Sequence, residues 1–148
     1  MAERNIGFEI KTLSNLMRRK MEAEIGVEKS IRGNHCYILD FIQREKDRDI
    51  FQKDIEKEFQ IRRSTATGIL NTMQKRGLIE RVYCEEDARQ KKIVITEKGK
   101  RLQAKSFKKM QEFERKIKDG LTEEEVDEFL IITDKIKDII DKIELEDK

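Results

Sequence analysis

Several residue types that point to other classes of protein are scarce in this chain. Its 148 residues include no proline, so no helix interior loses a backbone N–H to a pyrrolidine ring. The only two cysteines, Cys36 and Cys84, lie far apart, which favours a reduced, cytoplasmic protein over a disulfide-linked one. No apolar run is long enough to span a membrane, and the first residues lack the apolar core of a signal peptide. These absences predict a mostly helical protein without a membrane partner.

Signatures of catalysis and metal binding are also missing. His35 is the only histidine, and there is neither a glycine-rich phosphate loop nor a nucleophile elbow. One histidine and two separated cysteines do not form a recognisable metal site. We therefore expect no enzymatic activity, no metal and no cofactor.

Charge is abundant but unevenly distributed. Charged residues make up 43% of the chain, yet the net charge is only +2. Residues 62–101 contain eleven basic and five acidic side chains, whereas residues 121–148 contain four basic and eleven acidic ones. This asymmetry favours one region that faces a polyanion and another that faces away from it. Two solvated faces of different charge would produce the same pattern.

Apolar periodicity predicts a long amphipathic helix at each end of the chain. The first covers about residues 5–26, and the last begins at a capping box formed by Thr122 and Glu125. Between them we expect a helix over about residues 33–45 and another that is capped by Thr96 and ends at Gly120. With 36% hydrophobic residues the core is thin, which favours terminal helices that pack against a second copy. A monomeric helical bundle is the alternative.

Residues 52–75 are typical of two helices joined by a short turn, with Ile61 as a buried anchor. In the second helix the apolar side chains share one face, namely Ala66, Ile69, Leu70 and Met73. At about 100° per residue, the opposite face carries Ser64, Thr67, Gly68, Asn71 and Lys75. Small hydroxyls, an amide and a lysine suit a helix that enters the major groove of DNA. A glycine inside a helix costs about 1 kcal/mol relative to alanine, so Gly68 indicates either close approach of DNA or a tolerated neutral position.

A β-hairpin is predicted directly after this helix pair. Gly77 ends the second helix, and two β-rich runs, residues 79–84 and 92–96, flank a polar tip. Arg89 on that tip could enter a narrow minor groove, with Asp87 holding its guanidinium, and Lys91 is a further expected phosphate contact. A hairpin tip that is merely solvated is the alternative.

Two stretches resemble the MarR (multiple antibiotic resistance regulator) family of bacterial transcription factors. One runs from Lys53 through residues 62–70 to the Lys75-Arg76-Gly77-Leu78-Ile79-Glu80-Arg81 segment. The other joins Asp87-Ala88-Arg89 to the Ile93-Val94-Ile95-Thr96-Glu97-Lys98-Gly99 segment. The resemblance implies a mainly α fold with a small β-hairpin wing, that is, a winged helix-turn-helix on a helical dimerisation layer. It also implies a homodimer that binds a pseudo-palindromic operator, usually as a repressor.

The same resemblance assigns roles to individual positions. It implies major-groove contacts by Ser64, Thr65, Thr67 and Asn71, a minor-groove contact by Arg89 oriented by Asp87, and phosphate contacts by Arg62, Arg63 and Lys75. The chain would then be a single unit, with residues 1–32 and 100–148 in the dimerisation layer and residues 33–99 in the DNA-binding region. One departure is the pair Arg62-Arg63, which stands where the family often has a small polar cap; Ser64 could supply the cap instead.

Regulation by a ligand is a further expectation from the resemblance, because family members often respond to small aromatic or phenolic acids. Met17, His35, Tyr37 and Phe41 are candidates for the wall of such a pocket, although they could equally be core residues. Redox sensing is less favoured, since neither cysteine lies near the start of the first helix, where peroxide-sensing relatives carry theirs. A winged-helix module that binds proteins without specific DNA binding remains the alternative function.

Overall fold

The computed structural model describes residues 3–25, 32–86 and 89–144, and the fold over these ranges is six helices and one antiparallel hairpin. The elements in order are α1 (Ile6–Ile25), α2 (Gly33–Arg44), α3 (Gln52–Phe59), α4 (Arg63–Lys75), β1 (Ile79–Tyr83), β2 (Lys91–Ile95), α5 (Glu97–Asp119) and α6 (Glu123–Asp141). The chain divides into two compact units, residues 1–110 and 111–148. The predicted fold class is confirmed.

The core of the first unit lies where α2, α3 and α4 meet the hairpin. Its buried members are Ile38, Leu39, Phe41, Ile42, Ile50, Ile55, Leu70, Met73, Leu78, Ile79 and Ile93. The apolar face predicted for α4 is buried at Ala66, Leu70 and Met73. Ile61, predicted to be a buried anchor, is only half-buried and packs against the edge of this core. The core therefore holds α4 by one face and leaves the other face open.

Tight helix ends set the paths into and out of α4. At the end of α3, Gln60 adopts a left-handed conformation with φ 51°, and the Ile61 N–H donates to the Glu56 carbonyl at 3.1 Å. At the end of α4, Gly77 has φ +75° and the Leu78 N–H reaches the Met73 carbonyl at 3.0 Å. Both are Schellman-type ends, in which an N–H beyond the helix satisfies a carbonyl of its last turn. Gly77 was predicted to end the helix; Gln60, a non-glycine residue, was not singled out.

The hairpin is joined to the helices on both sides. β1 and β2 pair antiparallel, with Ile79 opposite Ile95 and Arg81 opposite Ile93. The Ile93 N–H also donates to the Ile50 carbonyl at 2.7 Å, which adds an isolated bridge before α3. As predicted, Thr96 caps α5, its hydroxyl accepting from the Gly99 N–H at 3.0 Å.

The same Thr96 ties α5 to the end of α4. Its hydroxyl donates to the Gly77 carbonyl at 2.6 Å, and its backbone N–H donates to the Leu78 carbonyl at 3.1 Å. One threonine thus links the helix-turn-helix, the hairpin and α5, which fixes the hairpin relative to α4.

Most of α1 is exposed within the single chain. Of its apolar stripe only Met21 and Ile25, near its C-terminal end, are buried. Met17 is half-buried, and the remaining large apolar side chains of this helix are exposed, namely Ile6, Phe8, Ile10, Leu13 and Leu16. The predicted stripe exists, but the chain itself covers only one end of it.

The second unit contains the end of α5 and all of α6. The predicted capping box is present, because the Thr122 hydroxyl accepts from the Glu125 N–H at 3.1 Å and the Glu125 carboxylate accepts from the Thr122 N–H at 2.9 Å. No residue of α6 is buried. Its exposed large apolar side chains are Phe129, Leu130, Ile131, Ile132, Ile139 and Ile140.

Candidate nucleic-acid interface

The open face of α4 carries the polar residues predicted for it. Ser64, Thr65, Gly68 and Asn71 are exposed, and Thr67 is half-buried. Because α4 is held by its opposite, apolar face, these five positions are presented without competing core contacts. A Cβ added to Gly68 would meet nothing within 4 Å, so the protein itself does not require glycine at this position.

Thr67 is oriented by two neighbours. Its hydroxyl donates to the Arg63 carbonyl at 2.9 Å and accepts from Gln52 Nε2 at 2.9 Å. Gln52 Nε2 also lies 3.3 Å from the Arg63 carbonyl oxygen. The first residue of α3 therefore links the two helices at Arg63 and Thr67. Sequence reasoning did not identify Gln52, because its partner lies fifteen residues away.

Asn71 is oriented by the hairpin. Its Oδ1 accepts from Nη2 of Arg81 on β1 at 2.8 Å. Arg81 lies within the first MarR-like stretch, but the sequence alone indicates no role for it. Strand alternation could have found it, since Arg81 lies two residues after buried Ile79 and so points to the same side of the hairpin.

The N-terminal end of α4 lies at Arg62. This residue is the N-cap in extended conformation, and no side chain caps the helix at that position. Ser64 lies inside the first turn, so it is not the cap that sequence reasoning offered as an alternative. Arg62 and Arg63 are both exposed at this end of the helix, and Lys75 is exposed at the other end.

A basic cleft separates α4 from the hairpin. It has a volume of about 450 Å³, and the basic side chains in its lining are Lys53, Arg63, Arg81, Arg89 and Lys91. Thr67 lies in the same cleft, and among the residues that the structure describes Glu56 is its one acidic lining residue. This excess of positive charge among the described lining residues makes the cleft attractive to a polyanion.

The tip of the hairpin is described only in part. Arg89 and Lys91 are exposed, and the Lys91 ammonium lies 4.6 Å from the centroid of the Tyr83 ring. Asp87, predicted to orient Arg89, lies outside the described residues.

The four candidates for a ligand pocket have different surroundings. Phe41 belongs to the core and meets Phe59 edge-to-face at 6.1 Å. Tyr37 is 41% exposed, and its hydroxyl contacts Met21 Sδ at 3.4 Å. Met17 is half-buried. Phe41 therefore acts as a packing residue, whereas Tyr37 lies at the surface between α1 and α2.

His35, the fourth candidate, is buried at the start of α2. Its Nδ1 accepts from the Arg32 N–H at 3.2 Å, which satisfies a backbone donor at the start of the helix. Burial lowers the pKa of this imidazole, and the positive charges of Arg32 and Arg76 lower it further. His35 thus acts as a neutral acceptor that helps begin α2.

The cysteines differ in access. Cys36 is fully buried, and burial raises the pKa of its thiol despite a hydrogen bond with Ser106. Cys84 is half-buried on the hairpin. Within the described ranges, no group of three or more His, Cys, Asp or Glu side chains is placed to hold a metal ion. Nor is any helix of these ranges long and apolar enough to cross a membrane.

The chain is similar to regulators whose structures are known. Crystal structures of S. aureus MepR in complex with DNA (22% identity, TM-score 0.85) and of the transcription regulator MarR from Oenococcus oeni PSU-1 (29% identity, TM-score 0.76) each cover 93% of this chain. The match includes 99% of the MepR chain and 100% of the MarR chain. A probable transcriptional regulator from Pseudomonas aeruginosa is similar over 89% of this chain and 96% of its own, at 17% identity and TM-score 0.77.

Sequence comparison agrees with the fold. The family model described as MarR family matches residues 30–90, which include α2 to α4 and the first strand of the hairpin. No curated protein matches the chain by sequence. Residues 30–90 are thus similar to the MarR family, and the chain has the fold of the winged-helix regulators described above over almost its whole length.

Proposed function

We propose that this protein is a sequence-specific double-stranded DNA-binding transcriptional regulator that acts as a homodimer. The observation that carries the proposal is the open face of α4 beside the basic cleft. Ser64, Thr65 and Asn71 offer hydrogen-bonding groups suited to base edges, and Gly68 between them lets a groove approach the helix closely. That a MepR chain of the same fold was crystallised with DNA supports this use of the fold.

Phosphate contacts follow from the ends of α4. A helix N-terminus carries partial positive charge and N–H groups that no helical carbonyl satisfies. At the start of α4 no side chain caps these groups, and Arg62 and Arg63 add full positive charge. Lys75 and Lys91 supply cations at the far end of α4 and on the hairpin. These contacts position the protein on DNA without reading its sequence.

The hairpin serves as the wing. Arg89 is exposed near its tip, where it can enter a narrow minor groove whose negative potential attracts arginine. Asp87, two residues earlier, is the expected partner that orients it. Minor-groove width then contributes to sequence preference alongside α4.

The homodimer is proposed from the uncovered apolar surface at both ends of the chain. Exposed aliphatic and aromatic side chains along most of α1 and α6 exceed what a monomer in water leaves open. Residues 1–32 and 100–148 would form the dimerisation layer, and residues 33–99 the DNA-binding region. A dimer of two winged helices suits a pseudo-palindromic operator, because the symmetry of the site mirrors that of the protein.

Repression, and release by a small aromatic or phenolic ligand, are proposed from the family. Tyr37 and Met17 are the pocket candidates that retain surface access, whereas His35 and Phe41 are engaged in the protein interior. A ligand there would act by shifting the population of dimers that can bind DNA.

The test is selection of DNA from a randomised duplex library, followed by fluorescence anisotropy at fixed salt with the selected and a shuffled duplex. Arg89→Ala should weaken binding to the selected duplex. The matched control is Arg115→Ala, which removes an exposed arginine that pairs with Asp119 within α5. Wild-type protein that selects no sequence, or an Arg89→Ala variant no weaker than the control, would contradict the proposal and favour a protein-interaction module.

A further inference from the structure

The hydrogen bond between α4 and the hairpin constrains how Asn71 can meet a base. Arg81 Nη2 and Asn71 Oδ1 are 2.8 Å apart. A guanidinium has only donors, so the atom that faces it must be the carboxamide oxygen. The NH₂ group of Asn71 is therefore directed away from Arg81, on a side chain that is exposed. The orientation of the amide, ordinarily ambiguous, is set here by the chemistry of its partner.

The position of Arg81 is restricted by its surroundings in the hairpin. It is half-buried on β1 opposite Ile93, and its Nε is shielded from solvent without a hydrogen bond in the part of the chain that the structure describes. Thr96 bonds the carbonyls of Gly77 and Leu78, which lie in the short segment between α4 and β1. The strand and the helix are thereby held together, so the position of the Arg81 guanidinium relative to Asn71 is fixed.

We propose that Arg81 is a positioning residue for base recognition, holding the Asn71 carboxamide so that its NH₂ group faces the major groove. This inference rests on the proposed function. An outward NH₂ donates to acceptors on base edges, which in the major groove are N7 and O6 of guanine, N7 of adenine and O4 of thymine. Arg81 thus influences sequence preference without touching a base.

A simpler role for Arg81 would be a direct contact with phosphate, since it also lines the basic cleft. The two roles differ in what they predict. A phosphate contact weakens binding to all sequences equally and reduces the slope of affinity against salt by about one. A positioning role changes preference at the base pair that Asn71 reads and depends on Asn71 being present.

The first arm of the test needs no DNA. In ¹H–¹⁵N spectra of the free protein, the NH₂ signals of Asn71 are those lost in Asn71→Ala. Arg81→Met keeps the apolar stem but removes every donor, so these signals should move. The control Arg101→Met, an exposed arginine on α5, should leave them in place. Asn71 signals that do not move in Arg81→Met overturn the proposal.

The second arm compares selected sequences from a randomised duplex library for wild type, Asn71→Ala, Arg81→Met, Arg81→Lys and the double variant Asn71→Ala/Arg81→Met. Asn71→Ala should change the base preference at one base pair. At that base pair, Arg81→Met and Arg81→Lys should discriminate between bases less well than wild type, by roughly fivefold or more. The double variant should discriminate no worse there than Asn71→Ala, because the two side chains act as one unit. Arg81→Lys keeps the charge and should keep the salt slope.

The outcomes separate the two proposals. Uniform loss of affinity with unchanged base preference in Arg81→Met overturns the positioning role and makes Arg81 a phosphate contact. Additive losses in the double variant also overturn it. A wild-type protein that selects no sequence contradicts the proposed function itself, and the base-reading role of Asn71 and Arg81 falls with it, even where the spectra show the hydrogen bond. Thermal melting of each variant separates these effects from loss of folding.

Discussion

Individual residues on the open face of α4 are subject to different constraints. Thr67 and Asn71 are bonded to Gln52 and Arg81, so their orientations are set before any ligand arrives. Gly68, in contrast, has open space around the position of a Cβ. Preorganised donors lose less freedom on binding, which favours affinity at fixed contact area. Because the fold does not require glycine at position 68, close approach of DNA and a tolerated neutral glycine are the two explanations, and they predict different effects of a side chain there.

Gly68→Ala should separate stability from DNA binding. Alanine is favoured over glycine inside a helix by about 1 kcal/mol, and nothing in the fold opposes the added methyl group, so the free energy of unfolding should rise. DNA affinity should fall, because the methyl group stands where the groove approaches. Urea denaturation and anisotropy measure the two effects. The control is Gln74→Ala, on another exposed face of α4. A Gly68→Ala variant that binds DNA as tightly as wild type would show that the groove does not come close to position 68.

Cys36 should be inert in the folded protein. Burial raises the pKa of its thiol and excludes reagents, so little thiolate exists at neutral pH. With a thiol reagent such as dithiobis-nitrobenzoate, Cys84→Ser should show no labelling until urea is added, whereas Cys36→Ala should retain the reactivity of Cys84. Rapid labelling of the folded Cys84→Ser variant would mean that Cys36 is accessible and reactive, and redox sensing by Cys36 would again be a hypothesis to consider.

At the scale of elements, the ends of helices are where this sequence specifies its own structure. Gly77, Thr96 and Thr122 were each predicted to end or begin a helix, and each does so with the expected hydrogen bonds. These signals are local, because a cap and its partner lie within a few residues. The start of α4 was not resolved from sequence, since neither Arg62 nor Arg63 is a customary cap. The starts of α2 and α5 each support a testable prediction.

His35 should make stability depend on pH. Its folded pKa lies below its ordinary value of 6.5, chiefly because of burial, so the folded state prefers the neutral ring. The stabilisation is fully present above about pH 6.5 and is lost as pH falls through the range below it. His35→Gln keeps an acceptor for the Arg32 N–H but does not titrate. The free energy of unfolding of wild type relative to this variant should therefore decrease from about pH 8 to about pH 5; a constant difference would contradict the argument.

Gly99 should not tolerate a side chain. A Cβ there would overlap the Leu78 carbonyl oxygen and come within 2.8 Å of Ile95 Cγ1. Because the carbonyl is backbone, and is bonded to the Thr96 N–H, it cannot move aside cheaply. Gly99→Ala should lower the free energy of unfolding by roughly 1–3 kcal/mol or more, measured by urea denaturation. Gly68→Ala is the matched glycine control, and equal stability of the two variants would contradict this packing.

For the whole molecule, the apolar surface is the feature that a single chain leaves unexplained. α6 has no buried residue, and α1 is buried only near its C-terminal end. Amphipathic helices of this length are stabilised mainly by burial of their apolar faces, because isolated helices are marginal in water. Both helices therefore need a partner surface, which a second copy would provide in the proposed homodimer.

Ile140→Glu should disrupt the proposed homodimer. This side chain is 59% exposed in the single chain, and a buried glutamate without a partner is costly. Sedimentation equilibrium should give twice the chain mass for wild type and a monomer or an unfolded chain for the variant, with loss of operator binding. Lys137→Glu, at an exposed polar position of the same helix, is the control. A monomeric wild type, or an Ile140→Glu dimer as tight as wild type, would refute this interface.

The sequence by itself determined the elements, their order and their faces. Apolar spacing placed α1, α4 and α6, and glycine and threonine signals placed the end of α4 and the starts of α5 and α6, because both kinds of information act over a few residues. The polar face of α4 followed from helical geometry alone. The motifs shared with the MarR family then predicted the winged-helix fold.

Only the tertiary structure decided which side chains meet across elements. The bonds of Asn71 with Arg81 and of Thr67 with Gln52, and the bridge of Ile50 with Ile93, join residues ten or more positions apart. It also separated Phe41, which is core, from Tyr37 at the surface, although both belong to α2. Local propensity carries no information about such pairs, because they depend on how the helices and the hairpin pack.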